Sequence, residues 1–229
     1  MNGTTISAPV LGRRRLQIGV FALLCHSLLP MAAFTIPSAM AAPIRIIAFG
    51  DSLTAGFRLA PGDAFPAKLE KALRARGHDV EIANAGVSGD TTAAGLARLD
   101  WAVPDGSRIV ILELGANDAL RGLEPAATRR NLETIIQRLK AKGAAVLLAG
   151  MLAPKNWGED YARRFDAIFP ELAKAHDLTF YPFFLDGVAL RPELNLDDGL
   201  HPNARGVDII VARILPVVEA MLSQSRKVP

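Results

Sequence analysis

The chain is nearly free of cysteine: among its 229 residues only Cys25 carries a thiol. A single thiol cannot form an intramolecular disulfide, so a disulfide-stapled fold is excluded. Cys25 also lies in an N-terminal segment that we expect to be removed. The remaining chain should therefore use neither disulfide nor thiol chemistry.

An excess of charge is also missing once that segment is set aside. The chain has 26 basic and 23 acidic residues, but three of the basic ones are Arg13, Arg14 and Arg15. Without them the two signs balance at 23 each, and the formal net charge is zero. The sequence thus lacks the basic footprint of a nucleic-acid-binding protein, and we expect no nucleic-acid partner.

The N-terminal segment is typical of a secretory signal peptide. The three arginines precede an uncharged stretch, residues 16–43, which contains the small-residue motif Ala39-Met40-Ala41. The pattern predicts cleavage after Ala41, export to the periplasm or beyond, and no stable membrane anchor afterwards. A retained anchor is the alternative, because the stretch approaches the roughly 20 residues that span a bilayer. The arginines leave Sec and twin-arginine export both open.

From residue 44 onward, short apolar runs alternate with longer amphipathic segments. We predict strands over residues 44–49, 80–84, 108–114, 144–151 and 178–181, and helices over 63–76, 91–99, 125–142, 159–176 and 204–223. This alternation predicts an α/β fold: a three-layer α/β/α sandwich around a five-stranded parallel sheet of flavodoxin-like order. No repeat or linker divides residues 42–229, which we therefore expect to form a single domain.

A polar segment follows each predicted strand. In chain order these segments read GDS, NAGVSGDTT, GANDALRG, LAPKNWGEDY and DDGLHPN. The carboxyl ends of parallel strands share one edge of a sheet, where ligands bind in such folds. We therefore expect the functional residues at that edge.

Three of these polar residues could form a catalytic triad. Ser52 would be the nucleophile and His201 its base, because His78 and His176 fall near helix ends away from this edge. Asp198 could reach His201 across the DGL turn. Spacing alone leaves other readings open: Ser52 as a helix cap, Asp198 as another cap, and Asp197 as an equally good partner.

Three donors could stabilise an oxyanion. They are the backbone N–H groups of Ser52 and Gly89 and the side-chain amide of Asn117. Taken singly, Gly89 could equally serve a positive φ, and Asn117 could cap a turn before Asp118.

Four blocks of this chain resemble those of the SGNH, or GDSL, hydrolases. They are GDSL at residues 50–53, the glycine of SGDT at 88–91, GAND at 115–118 and DGLH at 198–201. The resemblance covers about residues 44–220. It is strongest to the exported bacterial branch that contains acyl-CoA thioesterase I, also called lysophospholipase L1, and the arylesterases.

The resemblance implies a serine hydrolase that acts on small-molecule esters or thioesters without a metal or organic cofactor. It implies that Ser52, His201 and Asp198 form the triad, and that Gly89 and Asn117 complete the oxyanion hole with the Ser52 N–H. Asp51 would have a structural role in the turn.

Loop residues near the expected site are candidates for the walls of the substrate site, although ordinary loop packing is an alternative for each. They are Leu120, Arg121, Leu123, Pro154, Asn156 and Trp157.

Two other functions are compatible with parts of the pattern. In a metal-dependent phosphoesterase the edge carboxylates and one imidazole would bind metal: Asp51, Asp90, Asp118, Asp198 and His201. A non-catalytic flavodoxin-like binding module would hydrolyse nothing, but the sequence lacks an obvious phosphate-binding glycine loop.

Overall fold

Five parallel strands form the centre of the fold in the computed structural model, which describes residues 42–225. The strands are β1 (Ile44–Gly50), β2 (Val80–Gly86), β3 (Ile109–Glu113), β4 (Ala145–Ala149) and β5 (Thr179–Tyr181). Their order is β2-β1-β3-β4-β5, and every neighbouring pair is parallel. The predicted flavodoxin-like order is confirmed.

The described residues form eight α-helices. They are α1 (Ser52–Ala55), α2 (Phe65–Ala75), α3 (Thr92–Ala102), α4 (Ala116–Leu120), α5 (Pro125–Ala141), α6 (Glu159–Asp166), α7 (Ile168–His176) and α8 (Ala204–Ser225). The short helices α1 and α4 were not predicted. Both follow a strand directly and place polar residues at the sheet edge.

The single helix predicted over residues 159–176 is wrong, because the chain forms α6 and α7 with a break at Ala167. Pro170 accounts for the break. It has no N–H to donate to the carbonyl of Asp166, and its ring would clash with that carbonyl in a continuous helix. The predicted start of the first long helix at residue 63 is also early, since Pro61–Asp63 forms a 3₁₀ turn before α2.

The helices cover both faces of the sheet. Helix α2 packs against α8, while α3 and α7 each pack against α5. Strand β3 is buried along its whole length, as are most residues of β1 and β4, so the apolar runs of the sequence form the centre of the core. This arrangement confirms the predicted three-layer sandwich.

The N-terminal predictions concern a different part of the chain. The signal peptide, its cleavage site and the alternative membrane anchor all lie outside the described residues. Within residues 42–225, no helix combines the length and the apolar character needed to cross a bilayer.

The strand register brings three predicted site segments together. Gly50, at the end of β1, pairs with Gly86 of β2 on one side and with Glu113 of β3 on the other. Ser52 follows two residues after Gly50, and the segments with Gly89 and Asn117 leave the two neighbouring strands. All three therefore emerge at the carboxyl edge.

Candidate active site

Ser52 lies at the turn from β1 into α1, as its first helical residue. Asp51 caps this helix: its Oδ1 accepts a hydrogen bond from the Leu53 N–H at 3.0 Å. Ser52 is only 7% exposed, so little water surrounds it. The turn presents the Ser52 hydroxyl at the sheet edge and leaves its N–H at a helix start, where backbone N–H groups lack helical partners.

The serine, the histidine and an aspartate form a continuous hydrogen-bonded line. Ser52 Oγ lies 2.9 Å from His201 Nε2, and His201 Nδ1 lies 2.8 Å from Asp198 Oδ2. The structure thus places Asp198, rather than its neighbour Asp197, in hydrogen-bonding distance of the imidazole. His78 bonds to Glu219 on α8 instead.

Asp198 is held as an anion. Partial burial acts against its charge, but N–H groups of His201 and Leu200 and the His201 ring bind the carboxylate and lower its pKa to about 2. Asp198 can therefore accept the Nδ1 proton of His201 and leave Nε2 unprotonated toward Ser52.

An aromatic ring that the sequence reasoning missed packs against the histidine. The ring centroids of Phe57 and His201 are 4.4 Å apart, with the planes tilted by 37°. Phe57 follows Ser52 by five residues, and only this sequence proximity could have suggested it. Its contact covers part of one face of the imidazole.

Asn117 is oriented by Asp51. The Asn117 amide donates to Asp51 Oδ2 at 3.2 Å, which leaves its second N–H for another acceptor. Burial raises the pKa of Asp51 to about 7; hydrogen bonds from Leu53 and Asn117 lower it, and the nearby charges of Asp118 and Asp90 raise it. Asp51 therefore does more than cap a turn.

A second buried carboxyl lies beside the turn that carries Ser52, and the sequence reasoning missed it as well. Glu113 Oε2 accepts hydrogen bonds from Thr54 Oγ1 at 2.7 Å and from the Asp51 N–H at 3.3 Å. Among the described residues its Oε1 has no hydrogen-bond partner. Burial, followed by the charge of Asp51, raises the pKa of Glu113 well above its ordinary value.

Gly89 lies in a tight turn that follows β2. Asp90 N–H donates to Val87 O at 3.2 Å and closes the turn, in which Gly89 has a φ of +87° that favours glycine. The Gly89 carbonyl accepts a hydrogen bond from Arg121 at 2.9 Å. This hydrogen bond joins the turn that follows β2 to the segment that follows β3.

Three of the six predicted wall residues are large, exposed and apolar: Leu120, Leu123 and Trp157. A Cβ atom on Gly122 would come within 2.8 Å of the Trp157 ring, so the indole packs directly on the loop that follows α4. Tyr161 supports the same loop by donating to Leu123 O at 2.8 Å. Pro154 is half-buried and Asn156 exposed, in the segment before Trp157.

The carboxylates invoked for a metal site have other partners. Asp51 binds Leu53 and Asn117, and Asp118 accepts hydrogen bonds from the Thr92 hydroxyl and N–H. In residues 42–225 no three His, Cys, Asp or Glu side chains are grouped so that they could hold a metal ion. The geometry does not support the metal-dependent alternative.

Comparisons with known proteins show the family to which the chain belongs. Residues 48–209 match the model of the GDSL-like Lipase/Acylhydrolase family. The chain is 40% identical over 173 residues to an arylesterase of Vibrio mimicus, covering 74% of this chain and 85% of the relative. It is 42% identical over 164 residues to thioesterase 1/protease 1/lysophospholipase L1 of Escherichia coli (strain K12), covering 71% and 77%.

A solved structure shows that the similarity includes the fold. The structure of AlinE4, an SGNH-hydrolase family esterase, superposes with a TM-score of 0.67 at 49% identity, covering 80% of this chain and 99% of that one. The chain therefore belongs to the GDSL-like lipase/acylhydrolase family, whose SGNH esterases it resembles in sequence and fold, and it is a serine esterase.

Proposed function

We propose that Ser52 is the nucleophile of this esterase, with His201 as its general base and Asp198 as the group that orients the base. His201 Nε2 takes the Ser52 proton as Oγ attacks the ester carbonyl, and His201 then protonates the leaving alcohol or thiol. Water repeats the sequence with the acyl-enzyme and releases the acid. The Ser52–His201–Asp198 line, with distances of 2.9 and 2.8 Å, carries this assignment.

The oxyanion hole consists, in this proposal, of the N–H groups of Ser52 and Gly89 and the amide of Asn117. Their segments leave three adjacent strands in register, which supports a common target for the donors. The bond from Asn117 to Asp51 fixes the amide before substrate arrives. Such preorganised donors lower the barrier because they need no reorientation as charge develops.

The substrates are small-molecule esters or thioesters with an apolar acyl or aryl group. The exposed apolar side chains of Leu120, Leu123 and Trp157 support this choice, since they offer surface that a hydrocarbon group would cover. The names of the relatives, arylesterase and thioesterase 1/protease 1/lysophospholipase L1, point to the same range. Arg121 stands beside the Gly89 carbonyl at one border of this surface.

The decisive experiment compares wild type with Ser52→Ala on p-nitrophenyl esters of increasing chain length, a lysophospholipid and an acyl-CoA. Triad members act as a unit, so we expect kcat to fall by about 10⁴-fold or more. A serine-directed phosphonate should inactivate the wild type: Ser52 Oγ bonds to phosphorus as the reagent's leaving group departs, and the peptide with Ser52 gains the mass of the phosphonyl group. A chelator should change nothing. Near-normal turnover by folded Ser52→Ala would contradict the proposal.

We also propose that residues 1–41 are removed during export. The basic start, the apolar middle and the Ala39-Met40-Ala41 motif support this assignment. Expression of the full chain followed by N-terminal sequencing of the periplasmic or secreted protein should find Ala42 first. Recovery of the whole chain from the membrane fraction would instead indicate a retained anchor.

A further inference from the structure

Arg98 is a buried arginine on α3 with a side chain only 8% exposed. Its Nη2 donates to Gly50 O at 2.8 Å, its Nη1 to Ala85 O at 2.9 Å, and its Nε to the Asp90 carboxylate. Gly50 lies two residues before the proposed nucleophile, and Asp90 directly follows Gly89. One guanidinium thus binds both backbone segments that carry the proposed N–H donors.

The turn over residues 87–90 has a conformation that matters for the Gly89 N–H. The backbone angle φ is positive at Gly89 but not at Ser88. Together with the closing bond from Asp90 to Val87, this is the pattern of a type II turn. Types I and II differ by a flip of the central peptide, which here carries the Gly89 N–H. The turn type therefore decides toward which side that N–H points.

Both ends of this turn are tied to the end of β1. Val87 N–H donates to Gly50 O at 3.1 Å at one end. At the other end Asp90 pairs with Arg98, which itself binds Gly50 O. Without the guanidinium, the Asp90 end would lose its connection to β1, and the central peptide would be held less firmly even though Arg121 still binds Gly89 O.

A purely structural role is the competing explanation. The Arg98 guanidinium lies 4.3 Å from the centre of the Phe49 ring, and this contact would stabilise the core whatever the turn does. Buried ion pairs, however, are often no more stabilising than apolar side chains of similar size, because both charges lose hydration. All three hydrogen-bond partners of Arg98, by contrast, belong to the segments around the proposed oxyanion hole.

We propose that Arg98 is a positioning residue of the oxyanion hole, because it holds the 87–90 turn in the form that directs the Gly89 N–H at the oxyanion. This inference rests on the proposed function of Ser52 and Gly89. Arg98 touches neither substrate nor reacting atoms; it acts through Gly50 and Asp90.

The test compares Arg98→Met with a core control on the same helix, Leu99→Ala. Leu99 is fully buried, so its truncation destabilises the fold without changing a hydrogen bond to the turn. Loss of a single oxyanion donor costs about 10²- to 10³-fold in kcat, so a misdirected one should lower kcat of Arg98→Met by about 10- to 100-fold. KM should change little. The affinity for an alkylboronic acid, which forms a tetrahedral adduct on the serine, should fall by the same factor as kcat.

Arg98→Lys keeps a charge beside Asp90 and serves if the methionine variant does not fold. If both variants fold, Arg98→Lys should lose less kcat and less boronate affinity than Arg98→Met. If only Arg98→Lys folds, its kcat should fall below the wild-type value by less than about 10- to 100-fold, and its boronate affinity should fall by the same factor. The inference is overturned if the arginine variants lose no more kcat or boronate affinity than Leu99→Ala, or if only KM changes. Ser52→Ala is assayed in parallel: if it stays active, the proposed function itself fails, and if it is inactive while Arg98→Met matches the control, only the role of Arg98 is refuted.

Discussion

Asp198 binds His201 at two points: its Oδ1 accepts the backbone N–H of His201 at 3.0 Å, and its Oδ2 lies 2.8 Å from the ring Nδ1. The aspartate thus fixes both the backbone and the ring of the residue that it orients. The same Oδ1 also accepts the Leu200 N–H at 2.9 Å, which makes the DGLH segment a closed turn. A rigid turn delivers the imidazole to Ser52 in one orientation.

Replacement of Asp198 by asparagine should preserve the turn but lose the charge. Asparagine can donate to Nδ1 and so favour the wrong tautomer, and we expect kcat to fall by about 10²- to 10⁴-fold. The adjacent aspartate provides a matched control, because Asp197→Asn should keep nearly full activity. Steady-state kinetics on a p-nitrophenyl ester measures both. A large loss in Asp197→Asn alone would reverse the assignment.

The low pKa of Asp198 adds a condition to this prediction. Since hydrogen bonds hold that pKa at about 2, the carboxylate stays ionised across the mildly acidic and neutral range. In the folded wild type, the side-chain carboxyl ¹³C signal of Asp198 should therefore keep the chemical shift of a carboxylate between about pH 5 and about pH 8. A signal that moves to the shift of a protonated carboxyl within this range would contradict the prediction.

Trp157 should contribute to the binding of long or aromatic acyl groups. Its ring packs on Gly122 yet remains 47% exposed, so it offers apolar surface that a substrate can cover. A tenfold change in kcat/KM corresponds to about 1.4 kcal/mol, a free energy that burial of part of an indole ring can supply. For Trp157→Ala we expect kcat/KM to fall about 5- to 10-fold for an octanoate ester and less than about twofold for an acetate.

The control for this measurement is the other tryptophan. Trp101 is 73% exposed on α3, so Trp101→Ala removes an indole of equal size without touching the loop after α4. It should leave the chain-length profile unchanged. If the two variants show the same dependence of kcat/KM on chain length, Trp157 does not contribute to the binding of the acyl group.

The two buried carboxyls should make stability fall as pH rises. Burial raises the pKa of Glu113 well above its ordinary value and that of Asp51 to about 7. The folded protein therefore binds these protons more tightly than the unfolded chain. Their stabilising contribution is complete below about pH 4 and is lost as pH rises through the folded pKa values.

Glu113→Gln tests this directly, because glutamine cannot ionise but keeps an oxygen for Thr54 Oγ1 and the Asp51 N–H. The drop in Tm between about pH 5 and about pH 8 should be smaller in this variant than in wild type. Glu81→Gln, on the exposed side of β2, should behave like wild type. Thermal unfolding followed by circular dichroism gives the comparison, and parallel curves for Glu113→Gln and wild type would contradict it.

Where sequence reasoning about elements was wrong, a proline was usually responsible. Pro170 splits the helix predicted over residues 159–176, and Pro61 begins a 3₁₀ turn where the helix was expected to start. Periodicity of apolar residues continues across both sites. It reports which face is buried but not whether the backbone can continue.

Two of the site residues that were missed are buried charges. Glu113 ends an apolar strand, and Arg98 lies on the face of α3 that also buries Leu99. In a sequence such residues resemble ordinary surface charges at the border of an apolar stripe. Only their neighbours reveal them: Thr54 and the Asp51 N–H for Glu113, and the Gly50 carbonyl and Asp90 for Arg98.

By itself the sequence determined the strands, the crossover helices and the placement of polar segments at the carboxyl edge, because these depend on local apolar patterns and on chain order. It left Asp197 and Asp198 equivalent, and it could not tell a capping Ser52 from a nucleophile. Tertiary structure separated the two aspartates, since Asp198 bonds to the His201 ring, and it supports the proposal that Ser52 is the nucleophile, since Ser52 bonds to His201 across 149 positions. Contacts of that range depend on how the sheet and helices pack, and no local pattern encodes their distances.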